Sequence, residues 1–187
     1  MANIPLQIDS NTGMLKPVRF VASPNFDERP NPDDISLLVV HGISLPPGEF
    51  GGSAIDALFT NSLNPDEHPY YAEIHQMKVS SHLLIRRDGK ITQYVPLNKR
   101  AWHAGQSHYL DRPNCNDFSI GIELEGTDDI AYEKAQYETL ATTTRVLMQH
   151  YEGISHGRIV GHCDIAPVRK TDPGPAFDWA FFRKLLV

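Results

Sequence analysis

Cysteine is scarce in this chain: Cys115 and Cys163 are the only two in 187 residues. That is too few for the disulfide framework of a small secreted domain, and both are expected to be reduced. Long apolar runs are also missing. No stretch approaches the ~20 residues a membrane-crossing helix requires, so no membrane partner is expected. A basic excess is absent, since 17 Lys and Arg against 23 Asp and Glu leave a formal charge of -6. Nucleic-acid binders draw much of their affinity from neutralising phosphates, so no nucleic-acid partner is expected either. The opening MANIPLQIDSNTGMLKP has neither the basic nor the apolar region of a secretory signal, which predicts a cytoplasmic protein. No repeat, low-complexity tract or obligate protein partner is evident.

What remains is an ordinary globular composition, 41% hydrophobic and 21% charged, long enough for one domain with a substantial core. Residues 1–22 carry few structural signals and are read as an extension packed on a domain of residues 23–187. The run SLLVVH, ending at His41, suits a strand buried on both faces, with Gly42 and Pro46-Pro47-Gly48 ending it. Ser53 and Asp56 match a capping box for a short helix carrying Ile55, Leu58 and Phe59. Residues 81–95 read as a hairpin turning at Asp88-Gly89. FSIGIELE alternates, so Phe118, Ile120, Ile122 and Leu124 share one face. Ser119, Gly121, Glu123 and Glu125 share the other, with Gly121 expected to leave open space beside the carboxylate. A helix over about 132–151, a short strand at 158–161 and a last helix capped by Asp178 complete the pattern. The fold class expected is α/β: a single domain with a central mixed sheet flanked by helices.

Nine histidines are present, most of them explicable as surface or core residues. The informative set is His162 followed by Asp172 within GHCDIAPVRKTDPGP, together with His41 at a strand end. Two imidazoles and a carboxylate form the three-ligand set of hydrolytic zinc sites. Spacing alone does not establish it, because His-x9-Asp is not a specific motif, and His82 or His103 could stand in for a ligand. Glu123 and Glu125 cannot be separated by spacing. Trp102 suits a cleft wall or simple core packing equally, and Arg169 reads as well as a solvated cation. Cys163 beside His162 suggests a thiol hydrolase, but in an extended segment adjacent side chains diverge.

The segments VVHGISLPPGEFGG, SSHLLIRRDGKITQYVP, RAWHAGQS, NDFSIGIELEG and VGHCDIAPVRKTDPGPAFDW resemble the type 2 N-acetylmuramoyl-L-alanine amidase family. More narrowly they are similar to its cytoplasmic 1,6-anhydro-N-acetylmuramyl-L-alanine amidases, over about residues 23–182. The resemblance implies one zinc ion per chain on His41, His162 and Asp172 at the sheet edge, with Glu123 as acid/base and Lys170 stabilising the transition state. It implies an anhydromuropeptide as small-molecule substrate, cleaved between the lactyl group and L-alanine during peptidoglycan recycling. Trp102, His103, Arg112 and Arg169 are the candidate substrate contacts, with Arg100 a further cation nearby. Relatives with Cys at the third ligand position, such as phage lysozyme-type amidases and peptidoglycan recognition proteins, fit less well than the Asp-bearing branch. Gly42 departs from the family pattern, which often has Asn there. Two other functions remain compatible with the fold: a non-catalytic peptidoglycan-binding module, and a zinc amidase acting on the intact wall.

Overall fold

The chain enters through a small antiparallel ribbon, β1 (Gln7–Asp9) and β2 (Met14–Lys16), in the computed structural model, which describes residues 5–187. Leu15 on β2 is fully buried in the main core. Next, β3 (Arg19–Phe20) becomes the outermost strand of the central sheet, so the expected extension contributes a strand of its own, while residues 1–4 lie outside the described residues.

After β4 (Phe26–Asp27) comes β5 (Leu37–Ile43), whose first five residues are all buried. The strand runs through Gly42 to Ile43 rather than ending at the glycine, because its pairing with a neighbour continues to that point. The hairpin is β6 (Leu83–Ile85) and β7 (Ile91–Gln93), with Gly89 at φ 80° in the turn, a conformation that favours glycine. Short pairs follow: β8 (Arg100–Ala101) on β4, and β9 (His108–Tyr109) with β10 (Arg112–Pro113). The alternating segment is β11 (Ser119–Glu125), and the last strand is β12 (Ile159–Gly161).

Six strands make the sheet in the order β12-β5-β11-β6-β7-β3. The first four run parallel and the last two run against them. One face packs Leu38, Val40, Ile120, Ile122 and Leu124 against helices α3 (Lys134–His150) and α5 (Trp179–Leu185). Each such buried aliphatic contributes about 1.5–3 kcal/mol relative to exposure. Asp178 caps α5 as expected, accepting from Phe181 N–H at 2.8 Å.

The opposite face is covered by α1 (Ala54–Phe59), α2 (Pro69–Ile74), the short α4 (His162–Ile165) and the loops around them. Ile55, Leu58 and Phe59 are buried as expected, but the Ser53/Asp56 capping box does not form. Asp56 is drawn away by Arg19 at 2.8 Å, Arg86 at 3.5 Å and the Tyr94 hydroxyl, which together outbid one backbone N–H. No helix among the described residues is long and apolar enough to cross a membrane.

Candidate metal centre and cleft

The strands' carboxyl ends build the site, where α/β sheets generally place ligands. In β5, Leu37 and Val39 point to the α4 side, and period-two alternation puts His41 there too. Glu123 on β11 is its register partner. On the other flank Gly161 of β12 pairs with Val40, so His162, the first residue of α4, emerges beside His41. Asp172 arrives on the following loop, fixed by Cys163 N–H donating to its carbonyl at 2.9 Å and Gly42 N–H to its Oδ2 at 3.4 Å.

Three atoms converge there. His41 Nδ1 lies 3.0 Å from His162 Nδ1 and 3.3 Å from Asp172 Oδ2, and His162 Nδ1 lies 3.1 Å from that oxygen. Burial holds the His41 imidazole down at about 4, so at neutral pH it carries no charge. Burial would raise Asp172, but the His162 and His41 rings beside it outweigh that and keep its carboxyl well below the ordinary range. The other nitrogen of His162 meets the Ala104 carbonyl at 3.3 Å, an acceptor only, so Nε2 bears the hydrogen and Nδ1 turns a lone pair inward. Lone pairs facing a carboxylate repel unless a cation lies between them, and the set fits a metal ion.

Beside them, Glu123 is 8% exposed and its Oε2 has no hydrogen-bond partner. Burial first, then the negative charge of Asp172, push its carboxyl well above the usual range, against the pull of Lys170. Glu125 contrasts with it. Its Oε1 accepts from Gly51 N–H at 2.6 Å and Arg86 at 2.8 Å, and its Oε2 from Arg87 N–H at 3.3 Å. The structure thus separates two carboxylates that spacing left equivalent.

These three side chains open onto a cleft of about 510 Å³ that includes Trp102, His103, Glu123 and Lys170, with an apolar side of Leu58, Phe59, Tyr70 and Ile74. Lys170 has no ion pair among the described residues, and both His41 and Glu123 feel its charge. A larger groove of about 1130 Å³ lies between β7 and α3, but among the described residues no metal-ligand set converges in it.

Arg112 and Arg169 do not line the cleft. Arg112 is paired with Asp34 and stacked on Phe118, and Arg169 donates to the carbonyls of Ala104 and Gln106 at 2.7 and 2.9 Å. Arg100 is likewise taken, by Asp27 and Asp117. Nor is the space over Gly121 open: the His103 ring fills it, 2.5 Å from where a Cβ would stand. Both nitrogens of that ring are engaged, by His41 and Ser119, leaving none free for a ligand. Cys163 follows His162 on a helix rather than in an extended segment, and burial pushes its thiol up, away from nucleophilic use.

Two residues escaped sequence reasoning. Ser119 had a signal, since it shares the Glu123 face of β11. Tyr132 had none: its hydroxyl donates to Pro173 O at 2.9 Å and occupies the space a side chain at Gly42 would need.

A family model described as N-acetylmuramoyl-L-alanine amidase matches residues 31–175. The 1,6-anhydro-N-acetylmuramyl-L-alanine amidase AmpD of Escherichia coli is 62% identical over 174 residues, spanning 93% of this chain and 94% of that protein. A crystal structure of an AmpD selenomethionine derivative superposes with a TM-score of 0.92 at 59% identity, covering 96% of this chain and 99% of its own. The amidase AmiD of E. coli, solved with anhydro-N-acetylmuramic acid-L-Ala-D-gamma-Glu-L-Lys, matches with a TM-score of 0.59 at 27% identity, over 96% of this chain and 65% of that one. Since the match extends across nearly the whole length at such identity, the chain belongs to the N-acetylmuramoyl-L-alanine amidase family.

Proposed function

We propose that this chain is a zinc-dependent amidase that cleaves the bond between the lactyl group of 1,6-anhydro-N-acetylmuramic acid and L-alanine, acting on small muropeptides during peptidoglycan recycling in the cytoplasm. Residues 23–187 would carry the activity, with 1–22 as an extension packed on that domain. The observation that carries the reading is the convergence of His41, His162 and Asp172 beside a buried carboxylate oxygen without a partner. Relatives named for the same reaction, and the substrate held by AmiD, supply the substrate class.

Zinc suits the donor set. Bonds of about 2.0–2.1 Å in a tetrahedron imply ligand separations of about 3.3 Å, and those here are 3.0, 3.1 and 3.3 Å. When bound, zinc supplies Lewis acidity that polarises a carbonyl and acidifies water. Glu123 then accepts the proton of the attacking water through its free Oε2, which its raised pKa favours, and returns it to the departing amino group of L-alanine. Lys170 faces the oxyanion that develops on the lactyl carbonyl, where a cation in a water-poor cleft is most effective. Trp102, half-buried in the wall, offers its indole to the sugar or stem peptide.

A binding module that had lost its metal would not be expected to keep all three ligands and an unpaired Glu123. The test is elemental analysis combined with turnover of anhydromuramyl tripeptide, its reducing-end counterpart and intact sacculi, each with and without a chelator. Zinc near one per chain, chelator-sensitive cleavage and a preference for the anhydro substrate are expected. Efficient release from sacculi with no preference between the small substrates would overturn the recycling role, and chelator-resistant turnover would overturn the zinc chemistry.

A further inference from the structure

A hydrogen-bond chain runs from the turn before β11 to His41, and its direction is set at one end. Ser119 Oγ lies 2.6 Å from the Cys115 carbonyl, which has no hydrogen to give, so the serine hydroxyl donates. Having spent its hydrogen, Ser119 Oγ can only accept from His103 Nε2 at 3.1 Å. His103 is buried beside His41, His82 and Ser119 with no carboxylate of the described residues against its ring, and a neutral imidazole with its hydrogen on Nε2 holds a lone pair at Nδ1. That lone pair meets His41 Nε2 at 2.9 Å, an approach that is favourable only if His41 carries its hydrogen there. His41 Nδ1 is then left with a lone pair aimed at His162 and Asp172.

From this we infer that His103 and Ser119 are positioning residues, which select the Nε2–H tautomer and the ring orientation of His41 and so prepare its Nδ1 as a ligand. The inference rests on His41 being a metal ligand. A ligating histidine usually donates its second N–H to a carboxylate, a carbonyl or water, whereas here the acceptor is a second imidazole, itself oriented by a serine. Strand β11 accommodates the chain in three successive positions on one face. Ser119 anchors the His103 ring, Gly121 leaves room for it, and Glu123 stands next to His41.

The ring is further fixed from its backbone. His103 and Ala104 N–H groups both donate to Asn116 Oδ1, at 3.1 and 2.8 Å. The buried Arg29 ties the same turn by donating to the carbonyls of Asn116, Asp117 and Ser119. With His103 held at both ends, His41 cannot flip its ring without breaking the bond.

The experiment uses the full chain loaded with zinc. In ¹⁵N-labelled protein, scalar coupling across the hydrogen bond between His41 Nε2 and His103 Nδ1 is expected, with both rings as Nε2–H tautomers. A hydrogen on His103 Nδ1 would overturn the inference. Zinc affinity by chelator competition gives the second readout. His103→Leu is expected to weaken binding by about 10- to 100-fold, Ser119→Ala to weaken it less, and His103→Gln, which restores an acceptor and a donor, to recover most of the loss. Equal affinity in His103→Leu and wild type, with both folded, would equally overturn it. Failure of the wild type to hold zinc would instead sink the zinc assignment, and the coupling between the two rings would still report on the relay.

Discussion

Glu123 and Glu125 stand two residues apart on one face of one strand, yet their surroundings assign them opposite work. Glu123 keeps an oxygen in reserve, whereas every oxygen of Glu125 is occupied. Glu123→Gln is therefore expected to retain zinc while kcat/KM falls by about 10²- to 10⁴-fold, as for other general acid/base losses. Glu125→Ala should act on stability, by about 3 kcal/mol, the lower end for breaking a buried pair, because Arg86 still keeps Asp56. Denaturant titration alongside steady-state kinetics separates the two, and a Glu125 variant of normal stability but no activity would reverse the assignment. For Lys170→Ala the oxyanion role predicts a fall of about 10²- to 10³-fold in kcat and kcat/KM alike. A change confined to KM would make the ammonium an anchor for a substrate carboxylate instead. Alternation in the sequence placed both glutamates correctly on one face. It could not rank them, because the groups that satisfy Glu125 come from Gly51, Arg86 and Arg87, which are remote in sequence.

Among the elements, β11 shows most clearly what a pattern of residue types can and cannot reveal. Its alternation is real, but all seven residues are buried, so the polar face meets the loops that carry Trp102 and His103 rather than water. Strand existence, the hairpin and the Asp178 cap were legible because period and turn chemistry are local signals. The strand order and its parallel core were not, since they depend on which apolar faces meet across the chain. For the same reason Gly121 read as empty space: what fills it arrives from residue 103. Gly121→Ala is accordingly expected to displace the His103 ring, costing about 1–3 kcal/mol of stability for overpacking and at least about tenfold in zinc affinity through the lost support of His41. Gly157→Ala is the control, since a Cβ there meets nothing within 4 Å. Should both variants bind zinc as wild type does, the close packing of His103 on β11 would have no bearing on the metal.

At the scale of the whole molecule, burying imidazoles uncharged makes folding itself sensitive to pH. His82 lies in the interior with Nδ1 accepting from Gly121 N–H at 3.0 Å and Nε2 donating to the Lys99 carbonyl at 2.9 Å. Burial, reinforced by the nearby Arg29 guanidinium, lowers its pKa to about 3 from an ordinary 6.5. The unfolded chain therefore binds a proton on this residue between pH 6.5 and 3 that the folded protein does not. Above that window the residue gives no pH dependence. Within it stability declines as pH falls, by up to about 1.4 kcal/mol per pH unit for each such imidazole. His41, lowered to about 4, adds to the same slope. Asp172 has its folded pKa depressed, so its contribution is present above the ordinary carboxylate range and is lost only in stronger acid. A metal ion held at the proposed site would add a second layer, because protons would compete with it for its ligands, but that competition would be common to any variant that keeps the site. In His82→Gln, whose amide can still donate to the Lys99 carbonyl, the unfolding free energy at saturating zinc should fall less steeply from pH 6.5 to 5, by one proton's worth of slope, whatever its stability at pH 8. Urea midpoints measured across that range provide the check, and parallel slopes for the two proteins would mean that His82 is not held neutral by the fold.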